Sequence, residues 1–170
     1  MITDRMGLLH DVADAVASAM RTVTDWGPSG ARVGQYALDV TADDAALAVL
    51  RKAGVGVLSE ESGFDPGTNG EVVVIDPIDG STNASRGLPW FATSLCFVDD
   101  DGPAVALVVN QATGVRFSAE RGGGAWCGER RLQATLSAPR PFASLGRESH
   151  AGGLVDHQCD RRAVVVEEAQ

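Results

Sequence analysis

One stretch of this chain constrains its fold more than any other: Val72-Val73-Val74-Ile75 runs without a break into Asp76-Pro77-Ile78-Asp79-Gly80-Ser81-Thr82. The apolar run has the β-branched content of a buried strand. The proline, glycine and two hydroxyl residues after it predict a tight turn and then a helix start, placed at a sheet edge. A second short apolar run, Val55 to Leu58, closes just upstream on Glu60-Glu61. Strands that end in acids in this way bring four carboxylates together.

Oxygen donors so gathered suit a hard divalent cation such as Mg²⁺, which leaves positions open for water and substrate when phosphate binds beside it. In a regular strand the side chains at i and i+3 point to opposite faces, but Pro77 fixes its own φ and Gly80 permits a sharp change of direction, so Asp76 and Asp79 can converge. Ile78 lies between them, where its backbone carbonyl would serve as a further hard ligand while its side chain packs. The backbone N–H groups of Gly80, Ser81 and Thr82 open a short helix and favour an anion such as phosphate. The competing reading is a solvated Asp-Pro and Asp-Gly turn with a capping hydroxyl. Glu60-Glu61 argues against it, because four acids at strand ends repel one another unless a cation or partner sits among them.

These segments carry a resemblance. Leu58-Ser59-Glu60-Glu61-Ser62-Gly63 and Ile75 through Asn83 resemble the two N-terminal metal motifs of the inositol monophosphatase family, Mg²⁺-dependent and lithium-sensitive sugar phosphatases. Val40-Thr41-Ala42-Asp43-Asp44 is similar to the family's V-T-x-x-D segment, Arg86 to Ser94 to the stretch after the metal loop, and Arg121 to Trp126 to its G-x-G-A hairpin. The likeness covers about residues 5 to 135. It implies a first metal held by Glu60, Asp76 and the Ile78 carbonyl, and a second held by Asp76 and Asp79. It further implies phosphate on the Gly80 and Ser81 amides, and a Ser81 hydroxyl, where the family usually has threonine, paired with Asp44 to orient the attacking water. The implied activity is Mg²⁺-dependent hydrolysis of a sugar or polyol phosphate monoester by metal-activated water, with inositol monophosphate as the leading substrate. Histidinol phosphate, fructose bisphosphate and phosphoadenosine phosphate stay open.

The chain also departs from the pattern. Family members run to about 250 residues or more by the usual domain-size prior, so the second family domain is expected to be absent. No W-D-x-A-A-G motif is present, since Trp26, Trp90 and Trp126 are followed by Gly27, Phe91 and Cys127. The aspartate completing the second metal site is then missing. A catalytically silent member that binds cations or associates with a full-length relative is therefore the alternative function. The family's active-site lysine has only Arg32 as a counterpart. Residues 139–170 read as a divergent polar tail, appended or frame-altered, after a metal-binding domain over residues 1–138. His150, Asp156, His157, Cys159 and Asp160 in the tail lack zinc-site spacing.

A net charge of −9, with 14 basic residues spread along the chain, argues against a nucleic-acid surface. Cys96, Cys127 and Cys159 form no framework and fit reduced thiols. With no basic patch leading an apolar stretch at the N-terminus and no membrane-length run, a cytoplasmic protein with a small phosphate ester as partner, and a homodimer in view, is expected. Apolar residues at helical spacing predict a first helix from Asp4 to Trp26, and Thr41 reads as the N-cap of a second that ends before Gly54. Asp44 would then also serve as a first-turn acid on the helix dipole. Thr93 to Val98, Ala104 to Val109 and Val115 to Ala119 predict an antiparallel meander, and Gly122-Gly123-Gly124 a hairpin. The fold class is a layered α/β domain, two N-terminal helices on a largely antiparallel sheet, matching the first half of the inositol monophosphatase fold.

Overall fold

Asp4 starts the first helix by accepting a 2.7 Å hydrogen bond from the Gly7 amide on its side chain. In the computed structural model, which describes residues 2–30 and 32–133, helix α1 spans Arg5–Met20 and buries Leu9, Val12, Ala13, Val16 and Met20. It stops short of the expected Trp26. Helix α2 spans Ala37–Lys52 with Tyr36 as its N-cap, so Thr41 does not cap it. Thr41 lies in the second turn and donates its hydroxyl back to the Ala37 carbonyl at 3.1 Å. The helix ends as expected, with Gly54 past its C-cap at φ +73°.

Both helices pack on one face of a single sheet. Its strands are β1 Gly56–Ser59, β2 Gly63–Asp65, β3 Val72–Asp79, β4 Ala92–Asp99, β5 Gly102–Asn110, β6 Arg116–Glu120, β7 Gly124–Cys127 and β8 Arg130–Arg131. Their spatial order is β2-β1-β3-β4-β5-β6-β7-β8. Every pairing is antiparallel except β1 with β3. The meander and the Gly122–Gly124 hairpin follow the expected order. Leu9, Val12, Val16, Leu38 and Leu50 from the helices meet Val57, Val73, Ile75, Leu95, Phe97, Leu107 and Val109 from the strands to form the core. On the opposite face Leu58, Val74 and Val108 are exposed and, with Cys96 and Ala106, line an apolar groove of about 540 Å³.

The strand β3 does not end where the turn was expected. It continues through both acids with a bulge: Asp76 pairs with Ser94 and Asp79 with Ala92, so three steps on β3 match two on β4. Pro77 fits inside the strand because the bulge relieves it of a ladder donor, and its carbonyl accepts from the fully buried Thr93 hydroxyl at 2.8 Å. Gly80 then turns the chain at φ +90°, and helix α3, Ser81–Ser85, begins.

Among the described residues no helix is long and apolar enough to cross a membrane. Among the described residues Cys96 is a free thiol. The division at residue 138 and the polar tail lie outside the described residues.

Gly80 is the backbone position on which this corner turns. A β-carbon there would sit 3.1 Å from the Trp90 carbonyl oxygen and force an L-residue to a left-handed φ. Gly80→Ala is expected to destabilise the fold by about 1–2 kcal/mol, read as a lowered midpoint in urea denaturation; an unchanged midpoint would contradict the turn's geometry.

Candidate functional site

The bulge decides where the acids of β3 point. A residue and its third neighbour on a regular strand face opposite sides, and the extra residue between Asp76 and Asp79 brings them back to the same side. Ile78 turns inward and is 5% exposed in the core. Together with Gly80 and Ser81, these residues border a cavity of about 470 Å³, whose remaining lining comes from Glu60 and Glu61 after β1, Asp39 on α2, and Arg32, Val33, Gly34 and Gln35 on the segment before α2. Glu60, Asp76, Ile78, Asp79, Gly80 and Ser81 are thus brought to one cavity.

Asp44 is not. It is exposed on α2 and absent from the cavity wall. Asp39, five residues earlier and about 140° round the helix by α-helical geometry, takes the place beside Ser81. This corrects the Asp44–Ser81 pairing. Asp39 is the third residue of its helix, and its Oδ2 accepts the Tyr36 amide at 2.8 Å. The carboxylate is 3% exposed, and its Oδ1 makes no hydrogen bond of normal geometry. Burial pushes its pKa above the ordinary carboxylate value, and the Tyr36 amide and the Ser81 side chain act in the opposite direction. The overlooked signal was the i, i+4 series Asp39, Asp43, Leu47, which shares a helix face with Leu38, Ala42 and Leu50.

Among the described residues five acids line this cavity, and Arg32 is the one cation on its wall. Arg32 is already engaged: its guanidinium meets Glu61 Oε2 at 2.5 Å, and Gln35 Nε2 donates to the same oxygen at 2.5 Å. Glu61 therefore ties the Arg32–Gln35 segment to the turn after β1. Glu60 instead faces Asp76. Burial, the hydrogen bond with Glu60 and the charges of Glu60 and Asp79 together push the Asp76 carboxyl up to about 7.

Among the described residues no three His, Cys, Asp or Glu side chains stand in a ready-made metal cluster; Glu60 and Asp76 bond to each other. The donor set nevertheless fits a hard cation. Its charged side-chain donors among the described residues are carboxylate oxygens, and their mutual repulsion is of the kind a divalent ion relieves. Beside them, α3 opens with amides that have no carbonyl to bond within so short a helix, and its first internal bond runs from the Ala84 amide to the Gly80 carbonyl. Asn83 Nδ2 holds the Trp90 carbonyl at 2.8 Å. Trp90 itself is 77% exposed, while Phe91 packs inward edge-on to Trp26 at 6.4 Å.

The raised Asp76 has a thermodynamic consequence. Folded Asp76 keeps its proton up to about 7, whereas the ordinary value for an aspartate carboxyl is 3.8. The folded chain therefore binds more protons than the unfolded chain between those values, and stability falls as pH rises through them. In chelator the melting temperature is expected to fall across this window more steeply for the wild type than for Asp76→Asn; parallel profiles would contradict the crowding of these acids.

Known proteins resemble this chain in sequence and in fold. The sequence profile of the inositol monophosphatase family matches residues 14–163. A fructose-1,6-bisphosphatase/inositol-1-monophosphatase from Archaeoglobus fulgidus is 37% identical over 136 residues, covering 75% of this chain and 54% of that protein. An inositol-1-monophosphatase from Rhizobium meliloti is 37% identical over 111 residues, 59% of this chain and 41% of that one. A solved extragenic suppressor from Pyrococcus furiosus superposes with a TM-score of 0.66 at 26% identity, covering 81% of this chain and 60% of its own. The chain spans about half the length of the relatives it matches. With a family profile across most of its length, relatives at this identity and a shared fold, the chain belongs to the inositol monophosphatase family.

Proposed function

We propose that the protein hydrolyses a sugar or polyol phosphate monoester in a Mg²⁺-dependent reaction, with inositol monophosphate as the leading substrate. The observation that carries this reading is the convergence of Glu60, Asp76 and Asp79 with the Gly80–Ser81 helix start on one cavity. Relatives named as inositol-1-monophosphatases and fructose-1,6-bisphosphatases support a sugar phosphate.

Glu60, Asp76, Asp79 and the Ile78 backbone would hold the cation. When bound, it supplies positive charge for the ester and lowers the pKa of water. An acidic wall would otherwise repel a phosphate dianion. The Gly80 and Ser81 amides receive phosphate oxygens, as unpaired helix-start donors do. Ser81 donates a hydrogen bond from its hydroxyl to Asp39, which leaves an oxygen lone pair to accept a hydrogen bond from the attacking water and aim it at phosphorus. Asp39, buried and raised, is suited to take the proton that the water loses. The bond to phosphorus forms from this water as the ester oxygen departs on the opposite side.

Phosphate release measured over a panel of monoesters, with Mg²⁺ and with chelator, tests the reading. Asp79→Asn and Asp39→Asn should each lower turnover by about 100-fold or more, and Asp44→Asn should leave it near wild type. Unchanged release in Asp79→Asn would remove the cation role. Cation binding without turnover in the wild type would instead support the silent, cation-binding member.

A further inference from the structure

Asp43 is a buried carboxylate for which the proposed reaction has no use. It lies one turn beyond Asp39 on α2, 5% exposed, and its Oδ1 accepts a 2.5 Å hydrogen bond from Ser59 Oγ at the end of β1. Ser59 is itself buried. A serine hydroxyl has one proton to donate and two lone pairs with which to accept. With its proton committed to Asp43, the oxygen accepts from the chain that follows: the Glu61 amide donates to it at 3.1 Å, and the Ser62 amide, more weakly, at 3.5 Å. The Glu60 amide donates to the Ile75 carbonyl of β3 at 3.2 Å. Three successive amides of the turn are therefore anchored, one by the sheet and two by a single hydroxyl whose direction Asp43 sets.

That turn carries Glu60 toward Asp76 and Glu61 toward Arg32. Burying a carboxylate with a serine as partner costs stability unless the pair does something a leucine could not. We propose that Asp43 and Ser59 are positioning residues: Asp43 orients the Ser59 hydroxyl, and that hydroxyl fixes the Glu60–Ser62 turn so that Glu60 is held at the cation site. The cation part rests on the proposed function; the anchoring of the turn rests on the hydrogen bonds alone.

Two measurements on the full chain separate these parts: Mg²⁺ titration by calorimetry, and hydrogen–deuterium exchange of the peptide spanning residues 59–63. Asp43→Ala and Ser59→Ala should speed exchange in that peptide and weaken Mg²⁺ by about 10-fold or more, as loss of a ligand's supporting hydrogen bond does. Asp43→Asn and Ser59→Thr, which keep an acceptor and a hydroxyl, should recover both. A purely structural role would lower the melting temperature without the localised exchange, and the conservative variants would not restore affinity. Should the alanine variants not fold, the near-isosteric pair Ser59→Thr and Ser59→Val carries the same comparison, since the two differ in the hydroxyl alone. Folded variants with wild-type affinity or wild-type exchange overturn the proposal. A wild type that binds no Mg²⁺ defeats the functional reading and the cation link with it, while the exchange comparison still decides whether Asp43 and Ser59 hold the turn.

Discussion

The bulge between Asp76 and Asp79 is the constraint from which the candidate site follows. Without its extra residue the two acids would face opposite sides of the sheet and Ile78 would leave the core. Thr93 secures it by donating to the Pro77 carbonyl, and Gln111 secures Thr93 by donating to its hydroxyl at 2.8 Å. Gln111 also reaches the Ala13 carbonyl on α1 at 3.3 Å. A chain of neutral hydrogen bonds thus links the acid-bearing strand to the first helix through the interior. Proline suits the position, and glycine follows because the chain must turn beside Trp90.

Around that fixed strand the other acids arrive from separate elements, each held by its own device. Asp39 comes from the first turn of α2, where the Tyr36 amide and the helix start favour a carboxylate. Glu60 and Glu61 come from the turn after β1, buttressed from behind by Ser59. Arg32 neutralises Glu61 and not the acids of β3, so the excess negative charge is concentrated on Glu60, Asp76 and Asp79. Such a concentration is expensive in a domain of marginal stability. It makes physical sense where a divalent ion offsets it.

Much of this was legible in the sequence, and the failures have physical causes. The run from Val72 to Thr82 revealed a strand, two acids and a helix start because valines, proline and glycine are strong local determinants. The bulge stayed hidden, since its register depends on β4, a non-local partner. The N-cap of the second helix lies five residues before Thr41, because Thr41 has the chemistry of a cap while Tyr36 does not, and the alanines at 42, 45, 46 and 48 blur the apolar face that would set its phase. The likeness of Val40 to Asp44 to the V-T-x-x-D segment points to Asp44 as the partner of Ser81, whereas Asp39 is the α2 acid on the cavity wall. Strand β2 and the contact of Arg32 with Glu61 are tertiary features without a local signature. The tail cluster from His150 to Asp160 lies outside the described residues.

A crystal structure of the protein grown with Mn²⁺, with ions located from anomalous scattering, decides whether the acids of β3 and Glu60 hold a cation. Density bounded by Glu60, Asp76 and Asp79, with the Ile78 carbonyl turned toward it, is the predicted result. Ions absent from that cavity while other acidic groups such as Asp99–Asp101 are occupied would contradict it.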